Sequence, residues 1–351
     1  MLRTSERSTF KRCRWKWWFE FEETLKPTTD VPPLRFGSLV HKALADYYIP
    51  GQKRGPHPAA SFRKHYDAEL KLQEQFGFKV RDIEDDETWV EAGTLGEAML
   101  NNYVDFWGSD DEWEVIVTEQ PFEQIIYRPE TVDPNHPAKA QQNAEPWFIY
   151  VGILDGIWRN RRSKKLSIVD HKTAKAIQVM YLALDAQATA YWTWGLDWVY
   201  EQGLLSPREK PAGMLYNHLR KAMPDERPFE VVNGKRVHLN KDGSFSKKQP
   251  TPYFSRTPIY RDWNERELAR ESAFAEFKDI EELRSLNERD GTSPPPPEAY
   301  KNPGMFTCPG CWLFDTCEVH EMGGDWHEML DHSTREWLPY SEHEVYTEET
   351  R

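Results

Sequence analysis

The chain has 351 residues, with 45 Lys+Arg against 58 Asp+Glu, a formal net charge of −13 and a mean hydropathy of −0.80. No stretch approaches the roughly 18 apolar residues of a membrane-spanning helix, and the basic N-terminal residues have no apolar run of a secretory signal behind them. Four cysteines are too few for a disulfide scaffold, and 38% hydrophobic with 13% aromatic residues exclude wholesale disorder, so a globular, cytoplasmic protein of one large or two ordinary domains is expected.

In chain order, residues 1–19 carry Arg3, Arg7, Lys11, Arg12, Arg14 and Lys16 against Glu6 alone, interleaved with Trp15, Trp17, Trp18 and Phe19. Residues 36–49 follow a 3.6-residue apolar period and predict a short helix; 58–76 and 86–107 predict two more, the last opened by acidic residues that suit a helix N-terminus. The period then changes. Residues 112–128 and 147–158 are β-rich, separated by a loop over 129–146, and a basic turn at 159–165 leads into a strand from Leu166 to Lys172, so that 147–172 predicts a hairpin. A helix is expected over 180–203, strands over 211–221 and 251–261 around a Gly/Lys-rich connection at 233–249, and a charged helix over 263–287. Pro294 to Pro297 form a stiff spacer, followed by three of the four cysteines. The order suggests an α/β core with helical additions.

The net charge does not exclude nucleic acid as a partner. Residues 318–351 and 78–91 hold nearly all the acidic excess, whereas 205–260 carry eleven basic and five acidic groups and the 159–165 turn carries Arg161, Arg162, Lys164 and Lys165. Screening limits distant charge to about 8–10 Å, so it is local basic surface that meets phosphates. These four are therefore candidate DNA contacts, with solvated turn residues as the bland alternative.

On the second hairpin strand, Asp170 and Lys172 project from one face while His171 points away. The opposing strand places Asp155 inside an apolar run, where a charge is costly unless paired. Two carboxylates from paired strands suit a hard divalent cation, with the lysine orienting water or offsetting phosphoryl charge; the alternative is an Asp–Lys ion pair at a strand end. Gln187 and Tyr191 share a helix face.

Gly37-x3-His41, Gly152-Ile153-Leu154-Asp155, Asp170-His171-Lys172-Thr173 and Gln187-x3-Tyr191 together resemble the ordered motifs of RecB-type nucleases in the PD-(D/E)XK superfamily. The resemblance implies a nuclease core with a mixed central sheet flanked by helices. By it, His41, Asp155, Asp170 and the backbone carbonyl of His171 would ligate Mg²⁺ or Mn²⁺, Lys172 would be the catalytic lysine, and Gln187 and Tyr191 would lie beside the substrate path. Glu119, on the first β-rich segment, is read as structural or as supporting the ligands.

Cys308-x2-Cys311-x5-Cys317 and Cys13 leave no cysteine over, and the spacing alone suits zinc or a 4Fe–4S cluster. One cysteine before the nuclease motifs and three after them resemble the iron–sulfur nucleases, among them the CRISPR-associated RecB-like exonucleases and the AddB nuclease, which implies a 4Fe–4S cluster joining segments 294 residues apart. The basic and aromatic residues around Cys13 are expected to shield it, the alternative being a platform on which the unpaired bases of a single strand stack.

The expectation is thus a metal-dependent DNA exonuclease acting on single-stranded or frayed ends in recombination, repair or CRISPR-like processing, with a helicase, recombination or CRISPR adaptation proteins as possible partners. Its expected divisions are a helical portion (1–110), a nuclease core (111–262) and a cluster-bearing segment with an acidic tail (263–351). The rival readings are a non-catalytic DNA-binding module of the same fold and a structural protein with a four-cysteine zinc site.

Overall fold

The first residues, which the sequence marks only as basic and aromatic, fold into α1 (Thr4–Arg12), α2 (Arg14–Trp17) and a π turn over Trp18–Glu22, followed by a short strand β1 (Leu25–Pro27). The computed structural model describes residues 1–27, 32–75, 87–132, 144–206, 208–232, 235–290, 295–336 and 339–340. Most of the 129–146 loop, much of the acidic 78–91 stretch, Pro294 and the end of the acidic tail lie outside the described residues.

Helices α3 (Pro32–Tyr47), α4 (Pro58–Gln75) and α5 (Glu87–Trp107) form where the apolar period predicts them. Strands β2 (Trp113–Tyr127), β3 (Pro146–Asn160) and β4 (Leu166–Ala174) follow. The helix expected from residue 180 begins later. Met180–Leu184 form a 3-10 turn, and α6 (Ala186–Ala190) starts after Asp185, whose carboxylate caps it by accepting the Ala188 N–H at 2.7 Å. A π turn over Tyr191–Gly195 and α7 (Leu196–Glu201) complete that segment. Beyond β5 (Gly213–Arg220), the Gly/Lys-rich connection contributes half of a small hairpin, β6 (Phe229–Val232) with β7 (Lys235–His238). Then come β8 (Phe254–Ile259), α8 (Trp263–Asp290), α9 (Phe314–Glu321), α10 (Trp326–Ser333) and β9 (Thr334–Glu336), the last pairing antiparallel with β1.

The central sheet has the order β2-β3-β4-β5-β8 and is mixed, with β4 and β5 parallel and the other neighbours antiparallel. This is the α/β core with a mixed sheet that the sequence predicts. One face packs Ile157, Ile168, Met214 and Tyr216 against Phe10, Trp17, Trp194 and Phe277; the other packs Trp158, Val169, Leu215 and Leu219 against Leu39, Val40, Leu44 and Phe62. A separate cluster of Trp15, Phe19, Leu313, Trp326 and Leu330 gathers Cys13, Cys311 and Cys317. Among the described residues no helix is long and apolar enough to cross a membrane.

Behind the sheet, Arg256 on β8 pairs with Asp110 at 2.6 Å, their side chains 8% and 4% exposed. Tyr48 donates to Asp110 and shares a hydrogen bond with Tyr103. Asn217 on β5 donates to Tyr103 Oη and to His171 Nδ1, each at 2.9 Å, so the network reaches β4 from its rear face. Removing one partner of such a pair leaves a buried charge unsatisfied. Asp110→Ala should therefore lower stability by about 3–5 kcal/mol in urea unfolding, and Asp110→Leu with Arg256→Met should recover much of that loss.

Candidate active site

Strands β3 and β4 pair from Arg159↔Leu166 to Gly156↔Val169, and the next residues along are Asp155 and Asp170. There the ladder stops. The His171 N–H donates to Asp155 Oδ2 at 2.6 Å, so a carboxylate takes the place of a strand partner. Beyond this point β4 keeps its pairing with β5 through Ala174. The alternation expected of Asp170-His171-Lys172 holds. Lys172 lies 5.8 Å from the Tyr216 ring centroid on one face, while His171 stacks near Tyr48 and Trp158 on the other.

Asp170, 1% exposed, sits 2.9 Å from Lys172 Nζ through Oδ2, and its Oδ1 accepts from Lys172 Nζ at 3.2 Å and from Gln187 Nε2 at 3.1 Å. Lys172 also donates to Gln187 Oε1 at 2.7 Å. The first turn of α6 is thus tied to the motif strand. Tyr191, buried one turn on, lies over Gly152: a Cβ on that glycine would come 2.5 Å from the Phe122 ring and 3.1 Å from the Tyr191 ring. His41 on α3 places Nδ1 3.4 Å from Asp155 Oδ2.

Glu119 joins this group: a ligand atom from each of His41, Glu119 and Asp155 lies within 4.8 Å of the others. Glu119 faces Asp155 between the pairs Thr118↔Gly156 and Gln120↔Leu154, and holds φ at +44°, a left-handed conformation that costs a residue bearing a Cβ. The sequence reading placed it outside the ligand set. Its signal was faint: one acid in a strand whose register with Asp155 only the folded sheet reveals.

The charges are mutually arranged. Burial opposes a proton on His41, but Asp155, then Asp170 and Glu119, outweigh it and push His41 up to about 9. Burial likewise works against Asp155, yet His41, His171 and Lys172 hold its carboxyl below the usual range. Burial pushes Asp170 up to about 6, Lys172 opposing and Asp155 adding to the rise. Burial pushes His171 down to about 3, leaving a neutral ring behind the motif strand. Lys172 is raised, its burial outweighed by Asp170 and Asp155. Asp170 Oδ2 is buried and, despite the nearby ammonium, makes no well-formed hydrogen bond. His41, Glu119 and Asp155 are a donor set that fits a hard divalent cation; Asp170 lies outside that converging group but within the field of Asp155 and His41.

The other predicted residues fall in two places. Arg161, Arg162, Lys164 and Lys165 are exposed at the hairpin tip, where Arg161 hydrogen-bonds the Asp111 and Glu112 carbonyls. That tip is at the other end of β4 from Lys172, roughly 20 Å of strand away at about 3.3 Å per residue. Cys13, Cys308, Cys311 and Cys317 line one cavity of about 740 Å³, with Arg12, Lys16 and Lys301 at its edge. Burial, followed by the neighbouring cysteines, pushes the Cys317 thiol up to about 12 against the pull of Lys301. Asn302 donates to the Arg12 carbonyl, Trp15 N–H to the Tyr300 carbonyl and Trp312 to Glu20, so the two distant segments are joined by direct hydrogen bonds.

Residues 4–318 match the family model of the PD-(D/E)XK nuclease superfamily, and the chain belongs to that superfamily. No curated protein matches the chain. Members are usually nucleases that act on nucleic acid and typically use divalent metals such as Mg²⁺ or Mn²⁺. Without metal, the His41 imidazole should remain protonated to about pH 9 in an NMR titration of its ring protons. Because the carboxylate stabilises the charged ring, Asp155→Asn should move that midpoint downward.

Proposed function

We propose that this superfamily member is a Mg²⁺- or Mn²⁺-dependent deoxyribonuclease of RecB type, an exonuclease on single-stranded or frayed DNA ends. The observation that carries the reading is the meeting of Asp155, Asp170, Lys172, Gln187 and His41 where β3 and β4 part. His41, Asp155 and Asp170, with Glu119 and the His171 carbonyl, would hold the cation. When bound, such a cation would supply positive charge against the phosphoryl oxygens and lower the pKa of water so that hydroxide is available as the nucleophile.

The protein's own groups do the rest. Asp155 and Asp170 supply the negative charge that binds a cation, and the His171 N–H fixes which oxygen of Asp155 faces outward. Lys172, held by Gln187 as well as Asp170, can keep its ammonium in place when a cation competes for the carboxylate. There it offsets the charge that develops on the phosphoryl group. Tyr191 and Gln187 wall a cavity of about 350 Å³ with Thr4, Ser5 and Ser8 of α1, a path for the strand beside the site. The hairpin-tip cations would be outlying phosphate contacts.

The four cysteines are proposed to hold a 4Fe–4S cluster. What supports this is that all four line one cavity, with Phe306, Phe314 and Met322 also in its lining, while Trp15, Phe19 and Trp326 pack against Cys13, Cys311 and Cys317. On this reading residues 1–110, 111–262 and 263–351 are a helical portion, a nuclease core and a cluster segment, and the enzyme serves recombination, repair or CRISPR-like DNA processing alongside a helicase, recombination or adaptation proteins.

Two experiments test it. End-labelled single-stranded DNA should be digested with Mn²⁺, and Lys172→Ala should slow digestion by about 10²–10³-fold while sparing Mn²⁺ affinity in calorimetry. Asp170→Ala should lose both. Digestion by Lys172→Ala at the wild-type rate would sink the reading. For the cluster, purified protein should be brown, and Cys13→Ala should bleach it and lower its melting temperature, because cluster binding is coupled to folding.

A further inference from the structure

The segment that joins the motif strand to the Gln187 helix exposes an unusual set of side chains. Met180 and Leu184 are each 92% exposed, and Val179 and Tyr181 are exposed beside them. This is not a loose loop. Leu182 is fully buried, its carbonyl accepts from Arg261 Nη2 at 2.7 Å, and Asp185 at its end both caps α6 and accepts from the Tyr216 hydroxyl at 2.7 Å. The turn is therefore fixed with its apolar side chains outward, where large apolar groups clustered on a surface mark an interaction site.

Its position says what it meets. The segment leaves β4 just beyond Lys172 and ends two residues before Gln187, so both its ends are pinned to the proposed active site. The Tyr181 hydroxyl is pushed up first by burial and then by Asp185, with Lys172 opposing and Asp170 adding, so it lies within the field of the site's charges. Cations flank it. Lys175 is exposed just before the strip, and Lys221, hydrogen-bonded through its backbone N–H to the Ala174 carbonyl, stands close enough for Lys175 to depress its pKa further after burial. Apolar and aromatic surface with lysines alongside is complementary to a single strand, which offers base faces next to phosphates. A duplex keeps its base faces stacked inside.

We infer that Val179, Met180, Tyr181 and Leu184 form a base-contacting strip that makes the enzyme selective for unpaired nucleotides at the scissile phosphate. This deepens the nuclease reading and rests on it for the position of the phosphate. Contact through methyl and thioether groups and the face of an aromatic ring carries no hydrogen-bond code, so the strip selects strandedness, with little preference among bases.

The test separates bases from phosphates. Fluorescence anisotropy compares an oligothymidylate with an oligomer of equal length built from abasic tetrahydrofuran units, using wild type and a Met180→Ser/Tyr181→Ser/Leu184→Ser variant that leaves buried Leu182 intact. Wild type should bind oligothymidylate roughly tenfold more tightly than the abasic strand. The variant should lose most of that preference with unchanged Mn²⁺ affinity and melting temperature. If wild type shows no preference, or the variant keeps it, the inference is overturned and the strip faces something other than bases, a protein partner included. The nuclease reading fails by a different result, absence of single-strand digestion by wild type, and the binding comparison still decides the strip.

Discussion

One hydrogen bond organises this molecule: the His171 N–H donated to a side-chain carboxylate of the neighbouring strand. In an ordinary ladder that N–H would meet a backbone carbonyl, and the two strands would run on together. Here Asp155 intercepts it, β3 and β4 part, and a carboxylate is left on each strand at the fork. The cost is high, because Asp170 is buried and lies near a second acid. It is offset from two sides. On the front face Lys172 and Gln187 engage Asp170. On the rear face Arg256, Asp110, Tyr103 and Asn217 hold the His171 ring, and with it the strand that carries the fork. Glu119, at a strained φ on the third strand, completes the arrangement.

The extremities of the described chain have a different logic. Trp15, Phe19, Leu313 and Trp326 form a small core of their own with Cys13, Cys311 and Cys317, separate from the two cores on the sheet. A core that small contributes limited apolar burial. It is supplemented by the β1–β9 pairing and by the ion pairs that α1 and α2 make with α8, Arg7 with Glu276 and Arg14 with Asp279. A cluster on the four thiolates would add a covalent tie to a junction that polar contacts already define.

How much of this could be read from residues alone depends on the range over which each signal acts. The helices over 32–107 and the 146–174 hairpin were legible because period and turn chemistry are local. So was the orientation of Asp170 and Lys172 away from His171, since a strand allows only two directions. The ordered motifs brought His41, Asp155 and Gln187 to the site for the same reason that they resemble a family. What escaped were features set by register or by distant partners. Glu119 becomes a neighbour of Asp155 only through the β2–β3 pairing. Asn217 and Arg256 read as ordinary strand residues until β5 and β8 stack behind β4. The α1 and α2 helices, basic and aromatic in sequence, owe their stability to acids more than 260 residues away. Asp185, a strong capping residue, was a local signal for the start of α6 that the apolar period at 180–184 concealed.

That long-range dependence of α1 has a consequence for how the protein comes into being. Glu6 receives Arg284 at 2.9 Å, and the Thr4 hydroxyl meets Tyr150, so the wall that α1 gives to the cavity beside Gln187 is assembled from residues made far apart in time. At roughly 5–20 residues per second, a ribosome takes on the order of tens of seconds to pass from α1 to α8. During that interval Trp15 lacks Leu313, Trp326 and Leu330, the late-made residues it packs with, whereas Trp17 and Trp18 can already pack on Phe10 and the early strands. The sheet can form while synthesis continues. The α1 wall of the cavity beside Gln187 is locked to α8 only afterwards, when the chain has travelled well past the fork between β3 and β4.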